Sequence, residues 1–174
     1  MIQIKSLNEL IKKLTQSNAE NYVSIAKNMH IPTSDFKPYI FWKEDGYSRN
    51  CIIKNDDFEL ILICWKKGHI TPIHGHNNQK CWVYQIDGEM TEVRYQIDSL
   101  GKMTECNRIN LTPGKLCYMH DTMGYHLLEN KSNGNAMTLH LYMKPVNKCA
   151  IYNTEKSAFE DKDLSFDTID GKKV

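Results

Sequence analysis

Leu7, Leu10, Ile11 and Leu14 recur at the spacing of one helix face. Ser6 stands three residues before Glu9, the pattern of a capped helix start. Tyr22, Val23, Ile25 and Ala26 predict a second, shorter helix, and Pro32 and Pro38 punctuate the segment that follows. From Tyr47 onward the period changes. Residues 58–65 are apolar on both faces, as in a strand covered from both sides. Residues 81–86 and 89–96 flank Asp87-Gly88, which predicts a β-hairpin. Further short strands are predicted at 115–119, 125–129 and 136–143, with one more near 164–166. Residues 110–114 and 130–135 are turn-rich. The pattern predicts an all-β core, a sandwich or barrel over about residues 45–170, behind short helices over about 1–40. Length points to a single domain, 1–174.

Composition narrows the function classes. Hydrophobic residues make up 41% of the 174 and charged residues 25%, enough apolar material for one real core. Lys and Arg number 22 against 21 Asp and Glu, with no basic stripe, so no nucleic-acid partner is expected. The longest unbroken apolar run is the six residues 60–65, far short of a membrane span, which takes about 20. Residues 1–6 carry no secretory pattern, so a cytoplasmic location is expected. Cysteines 51, 64, 81, 106, 117 and 149 are then expected to be free thiols. A barrel of this size is expected to work as a monomer.

Candidate chemistry begins at His74 and His76. Residues two apart on a strand point to the same side, so the pair can present two imidazoles to one metal ion. The surroundings read Gly68-x5-His74-x-His76-x4-Cys81-x6-Gly88, followed downstream by Gly124-Tyr125-His126 and Asn130. These segments resemble the two signature motifs of the cupins, small double-stranded β-helix barrels. The resemblance implies metal ligands at His74, His76 and His126. The cupin Pro-x-Gly turn before the third histidine is replaced by Asp121-Thr122-Met123-Gly124. Many cupins have a glutamate ligand where this chain has Cys81. Cys81 can close a Cys-His₃ zinc site. Alternatively it lies out of reach, leaving three neutral donors, the full +2 charge and open positions for an anionic thiolate.

Thr138, His140 and Tyr142 alternate with Leu139 and Leu141, so a strand places them on one face as a polar row. His140 can fix the Tyr142 hydroxyl, and a tyrosine beside a metal can donate a proton to a bound group. Tyr47 and Arg49 likewise share a face, and Arg49 can hold a carboxylate through two parallel charge-assisted bonds. Trp42, Trp65 and Trp82 read as packing residues. His30, His69 and His120 read as loop or surface positions.

As a set, Tyr47-Ser48-Arg49-Asn50, Leu62-Ile63-Cys64-Trp65, His74-Gly75-His76 with Cys81, Gly124-Tyr125-His126 and Leu139-His140-Leu141-Tyr142 resemble the cysteine dioxygenase family. These are cupin-fold non-haem iron enzymes. The resemblance covers residues 40–145 well. It implies an iron(II) cofactor held by His74, His76 and His126. Substrate L-cysteine would bind through thiolate and amine, with its carboxylate on Arg49 and the Tyr47 hydroxyl. Both atoms of O2 would go to sulfur, giving cysteine sulfinic acid. Tyr142, oriented by His140, would meet the bound substrate, with Thr138 where the family commonly has serine. It also implies a thioether crosslink between Cys81 and Tyr142, as in mammalian members. After the tyrosine the mammalian pattern is Ser-Pro-Pro; here it is Met143-Lys144-Pro145. The similar 3-mercaptopropionate dioxygenases usually carry glutamine at the arginine position, so Arg49 favours cysteine. The alternatives are a dioxygenase for another small thiol such as 3-mercaptopropionate, a non-catalytic metal-binding cupin, or a zinc-stabilised barrel.

Overall fold

Helix α1 (Leu7–Thr15) starts where the cap pattern placed it: Ser6 Oγ accepts from Glu9 N at 3.1 Å. The Glu9 carboxylate reaches back to Lys5 N, also at 3.1 Å, so a second free amide at the helix start is satisfied. Lys12 and Lys13 in the last turn suit the negative end of the helix dipole. Helix α2 (Tyr22–Lys27) follows. The chain is seen here as a computed structural model describing residues 3–174. Met1 and Ile2, at the start of the predicted helical segment, lie outside the described residues. No helix among the described residues is long and apolar enough to cross a membrane.

The strands are β1 (Ser48–Lys54), β2 (Phe58–Trp65), β3 (Lys80–Asp87), β4 (Met90–Ile97), β5 (Met103–Leu111), β6 (Leu116–Met119), β7 (Tyr125–Glu129), β8 (Ala136–Met143), β9 (Lys148–Asn153), β10 (Ala158–Asp163), β11 (Thr168–Ile169) and β12 (Lys172–Lys173). One sheet has the order β12-β11-β1-β2-β8-β3-β6. Facing it are the ladders β5-β4-β7 and β10-β9. Residues 70–74 join these two ladders, through bridges from Ile70 to Glu129 and from His74 to both His126 and Ile151.

Strand β2 is buried along its whole length because both of its faces are covered. Phe58, Leu60, Leu62 and Cys64 pack with Leu7, Leu10, Leu14 and Tyr22 of the helices. Ile61, Ile63 and Trp65 point to the other side, into the barrel, with Val83, Met90 and Leu128. Strand β8 divides in the same way. Its Met137, Leu139 and Leu141 meet the helical layer, so the Thr138–His140–Tyr142 row is left facing the barrel interior. The helices thus let the two central strands carry a polar row inward while their outer face stays dry.

The predicted hairpin at Asp87-Gly88 does not form. Strand β3 pairs with β6 and β8, whereas β4 pairs with β5 and β7 in the opposite sheet. Gly88 turns a corner between sheets at φ +69°, and a Cβ there would collide with Asn135 O. Gln85 Nε2 fixes the corner by donating to Asp87 O at 2.8 Å and Gly88 O at 3.2 Å. A turn dipeptide sets the local bend but not which sheet receives the next strand. Strands β5, β9, β10 and β12 have no counterpart in the sequence pattern. Most of β5 and β10 is exposed and polar, so neither carries a clear apolar alternation. The strand expected near Leu164–Phe166 is irregular backbone, and pairing resumes at β11, parallel to β1.

Leu14 is fully buried in the layer between helices and sheet. Leu14→Ala is expected to cost about 2–5 kcal/mol. Urea unfolding should show a lower midpoint at an unchanged slope.

Candidate active site

Two backbone segments bring the histidines together. His74 N donates to His126 O at 2.9 Å, and His126 N donates back to His74 O at 3.1 Å. This reciprocal pair locks the 70–76 segment against β7. One ring nitrogen from each of His74, His76 and His126 lies within 4.8 Å of the others. Among the described residues this is the group able to hold a metal, and Cys81 is not in it.

The ring partners define the tautomers. His126 Nδ1 lies 2.9 Å from Glu92 Oε1. A carboxylate only accepts, so Nδ1 carries a hydrogen, and Nε2 is the nitrogen turned toward the other two rings. His74 Nδ1 lies 2.9 Å from the Pro72 carbonyl, which also only accepts, so it too carries a hydrogen. His126 Nε2 and His76 Nε2 stand 3.1 Å apart, and His76 Nδ1 is buried without a partner among the described residues. Burial, helped by the neighbouring rings, pulls the His74 pKa down to about 3 and His76 well below its ordinary value, so both are neutral. Burial raises the Glu92 pKa, but the bond from His126 and the cation of Arg94 outweigh it and bring Glu92 to about 2. A permanent carboxylate behind His126 orients the ring and strengthens it as a donor. Three imidazole nitrogens crowded this closely fit a divalent cation, and imidazole suits the later first-row metals.

The polar row inside β8 forms a directed chain. Trp65 Nε1 donates to Thr138 Oγ1 at 2.8 Å, and Thr138 Oγ1 lies 2.9 Å from His140 Nε2. The indole is donor-only, so the threonine hydroxyl has its own hydrogen free for His140 Nε2. Burial, with Arg49 nearby, holds the His140 pKa well down, so the ring is neutral and its one hydrogen falls on Nδ1. Nδ1 then donates to the Tyr142 oxygen, 3.3 Å away, and the phenolic hydrogen is free to point elsewhere. Trp65, read from sequence as packing, is therefore the head of the relay. Nothing in an isolated tryptophan signals this; it follows from the register that places Ile63 opposite Thr138.

Cys81 and Tyr142 are directly opposed across β3 and β8. Opposed Cβ atoms lie about 4.5–5.5 Å apart, near enough for their side chains to meet. Burial raises the pKa of the Cys81 thiol and of the Tyr142 hydroxyl, so both are neutral. Glu59 continues this row on β2, opposite Tyr142. It was missed in the sequence because it lies in an apolar run, where a single acid reads as strand alternation. Its Oε2 accepts from Val146 N at 2.9 Å, while Oε1 is buried without a partner among the described residues. That bond anchors the Lys144-Pro145-Val146 segment after β8.

A small cavity reaches the cluster. Its lining includes Tyr47, Arg49, His74, His76, Tyr142 and Cys149. It encloses about 40 Å³, room for about three water molecules. Arg49 Nε donates to Ser165 O at 3.2 Å, and its guanidinium lies 5.7 Å from the Phe166 ring centre. Arg49 Nη2 is buried with no partner among the described residues. Burial raises the Tyr47 pKa, so its hydroxyl is neutral. Its ring packs 4.7 Å from that of Trp65.

A double-stranded β-helix with three inward histidines defines a cupin with a candidate metal centre. Solved structures agree on the fold. A protein with a double-stranded β-helix domain from Klebsiella pneumoniae aligns at TM-score 0.52 and 16% identity, covering 65% of this chain and 84% of that one. A Thermus thermophilus protein aligns at TM-score 0.50 and 17% identity, covering 64% and 96%. The profile of the family Cysteine dioxygenase type I matches residues 1–155. The chain belongs to that family and is an enzyme of the cysteine dioxygenase kind. It is 26% identical to human cysteine dioxygenase type 1, over 88% of this chain and 82% of the human one. It is also 26% identical to the zebrafish (Danio rerio) protein of that name, over 91% and 88%.

Burial lifts the Glu59 pKa, with the Val146 bond and the Arg49 and Lys54 cations opposing. Its folded pKa therefore exceeds its unfolded value, and the folded chain binds more protons between the two. Its contribution to stability is full below the unfolded pKa and is lost as pH rises through the folded one. Glu59→Gln keeps an acceptor for Val146 N and is expected to remove that loss. Urea midpoints measured from pH 4 to 8 should show the variant gaining on the wild type as pH rises; parallel profiles would contradict the burial argument.

Proposed function

We propose that this enzyme is an iron(II)-dependent thiol dioxygenase that converts L-cysteine and O2 to cysteine sulfinic acid. The observation that carries this reading is the unpartnered Arg49 Nη2 in the same small cavity as His74, His76 and Tyr142. A buried guanidinium nitrogen without a partner is costly unless an anion meets it. So small a cavity leaves no room for a peptide.

His74, His76 and His126 would hold the iron, which when bound would supply the redox centre where thiol and dioxygen react. Arg49 would take the substrate carboxylate, and the neutral Tyr47 hydroxyl would donate to the same group. Trp65, Thr138 and His140 would keep the Tyr142 hydrogen turned toward the substrate, where Tyr142 donates it. Cys81, outside the metal-capable group, argues against the closed zinc site. We also infer that residues 1–174 act as one domain and one monomer in the cytoplasm.

Oxygen uptake by iron(II)-loaded protein, measured with L-cysteine, 3-mercaptopropionate and cysteamine, tests the substrate. Sulfinate should form from cysteine, and Arg49→Gln is expected to lower kcat/KM for cysteine by about 10- to 100-fold, the loss of one charge-assisted contact. Unchanged kinetics would remove Arg49 from the carboxylate site.

The opposed Cys81 and Tyr142 support a thioether between Sγ and the ring carbon beside the hydroxyl. Two protons and two electrons would leave, the electrons passing to dioxygen. After turnover, intact mass should fall by two hydrogens in the wild type and not in Cys81→Ser. Active wild type at full mass would contradict the crosslink.

A further inference from the structure

We propose that Asp121 is a positioning residue that holds the two histidine-bearing segments in one geometry. This rests on the reading of His74, His76 and His126 as metal ligands, and assigns a role to the segment that replaces the cupin Pro-x-Gly turn. Asp121 begins the short 3-10 turn Asp121–Met123 between β6 and β7. Its Oδ1 accepts from His76 N at 2.7 Å and its Oδ2 from Asn78 N at 2.7 Å. Both oxygens of one carboxylate are thus spent on the loop that follows His76.

That loop needs the restraint. Asn77 and Asn78 stand at φ 54° and 61°, two consecutive left-handed residues that are not glycine. Such conformations persist where the surroundings over-determine them. Gly75 makes the approach possible: a Cβ there would stand 3.2 Å from Asp121 Oδ1 and 3.4 Å from Tyr125 Cδ1. The other end of the brace is equally tied. Asp121 O accepts from Gly124 N at 3.0 Å. Gly124 has φ +100°, and a Cβ on it would collide with Tyr95 O. Two residues later comes His126. One side chain therefore couples the position of His76 to the turn that delivers His126, across 45 residues of sequence. A proline turn can set the entry to the third histidine, but it cannot reach the first pair.

Cobalt(II) titration, followed by its visible absorption, tests the brace without turnover. Asn at 121 keeps the size but replaces one acceptor by a donor that faces an N–H. Asp121→Asn is expected to bind cobalt(II) about 10- to 100-fold more weakly and to shift its visible bands, with the far-UV circular dichroism of the metal-free protein unchanged. Asp98→Asn is the control. Asp98 Oδ1 also accepts two backbone amides, Leu100 N and Lys102 N at 2.9 Å each, in a loop elsewhere. It should bind cobalt(II) within twofold of wild type. Equal affinity in Asp121→Asn and wild type overturns the proposal. A wild type that binds no cobalt(II) overturns the ligand reading, and the brace with it. Amide exchange in metal-free wild type gives a check that needs no variant: His76 and Asn78 N–H should be protected, and exchange at the rate of free loop amides overturns the proposal.

Discussion

The reciprocal backbone bonds between His74 and His126 are the constraint on which the site depends. They are the seam at which an irregular segment becomes part of a sheet. Without them His74 and His76 would sit on a loop and His126 on a strand, joined by the Asp121 side chain but not by the sheet. With them, and with strand β9 on the far side through Ile151, the segment is held on both edges. Backbone bonds between buried groups are costly to lose, so the donor cluster inherits the rigidity of the sheet.

The second requirement is electrostatic. The barrel interior holds several neutral imidazoles, a neutral tyrosine and a neutral thiol beside the arginine. The carboxylates beside the ligands are committed, Glu92 to His126 and Arg94 and Asp121 to the His76 and Asn78 amides. A divalent ion in this setting would keep most of its charge for incoming anions. With that ion bound, the proposed site would favour a thiolate at one end and a carboxylate at the other, the charge pattern of a small amino-acid thiol.

Much of this was legible in the chain. The two-sided apolar run of β2 and the alternation of β8 follow from strand geometry and stand where expected. His74 and His76 lie not on a strand but on an irregular segment, which bridges at His74 tie to the sheet beside His126. What was illegible depends on which strands become neighbours. Asp87-Gly88 has hairpin chemistry, yet Gly88 packs against Asn135 and Ala136 and sends the chain to the other sheet. Glu92, Trp65, Glu59 and Asp121 carry no local signature, since each matters through a partner 34 to 87 residues away. Among the described residues strand β10 pairs only with β9, and it is exposed, so burial wrote no pattern into it.

The central claim is that three histidines hold iron while leaving positions free for a substrate sulfur. Iron K-edge X-ray absorption on anaerobic iron(II)-loaded protein reads the donor atoms directly. Nitrogen and oxygen scatterers alone are expected before substrate, with one sulfur scatterer appearing on addition of L-cysteine. A sulfur scatterer already present without cysteine, supplied by Cys81, would contradict the claim.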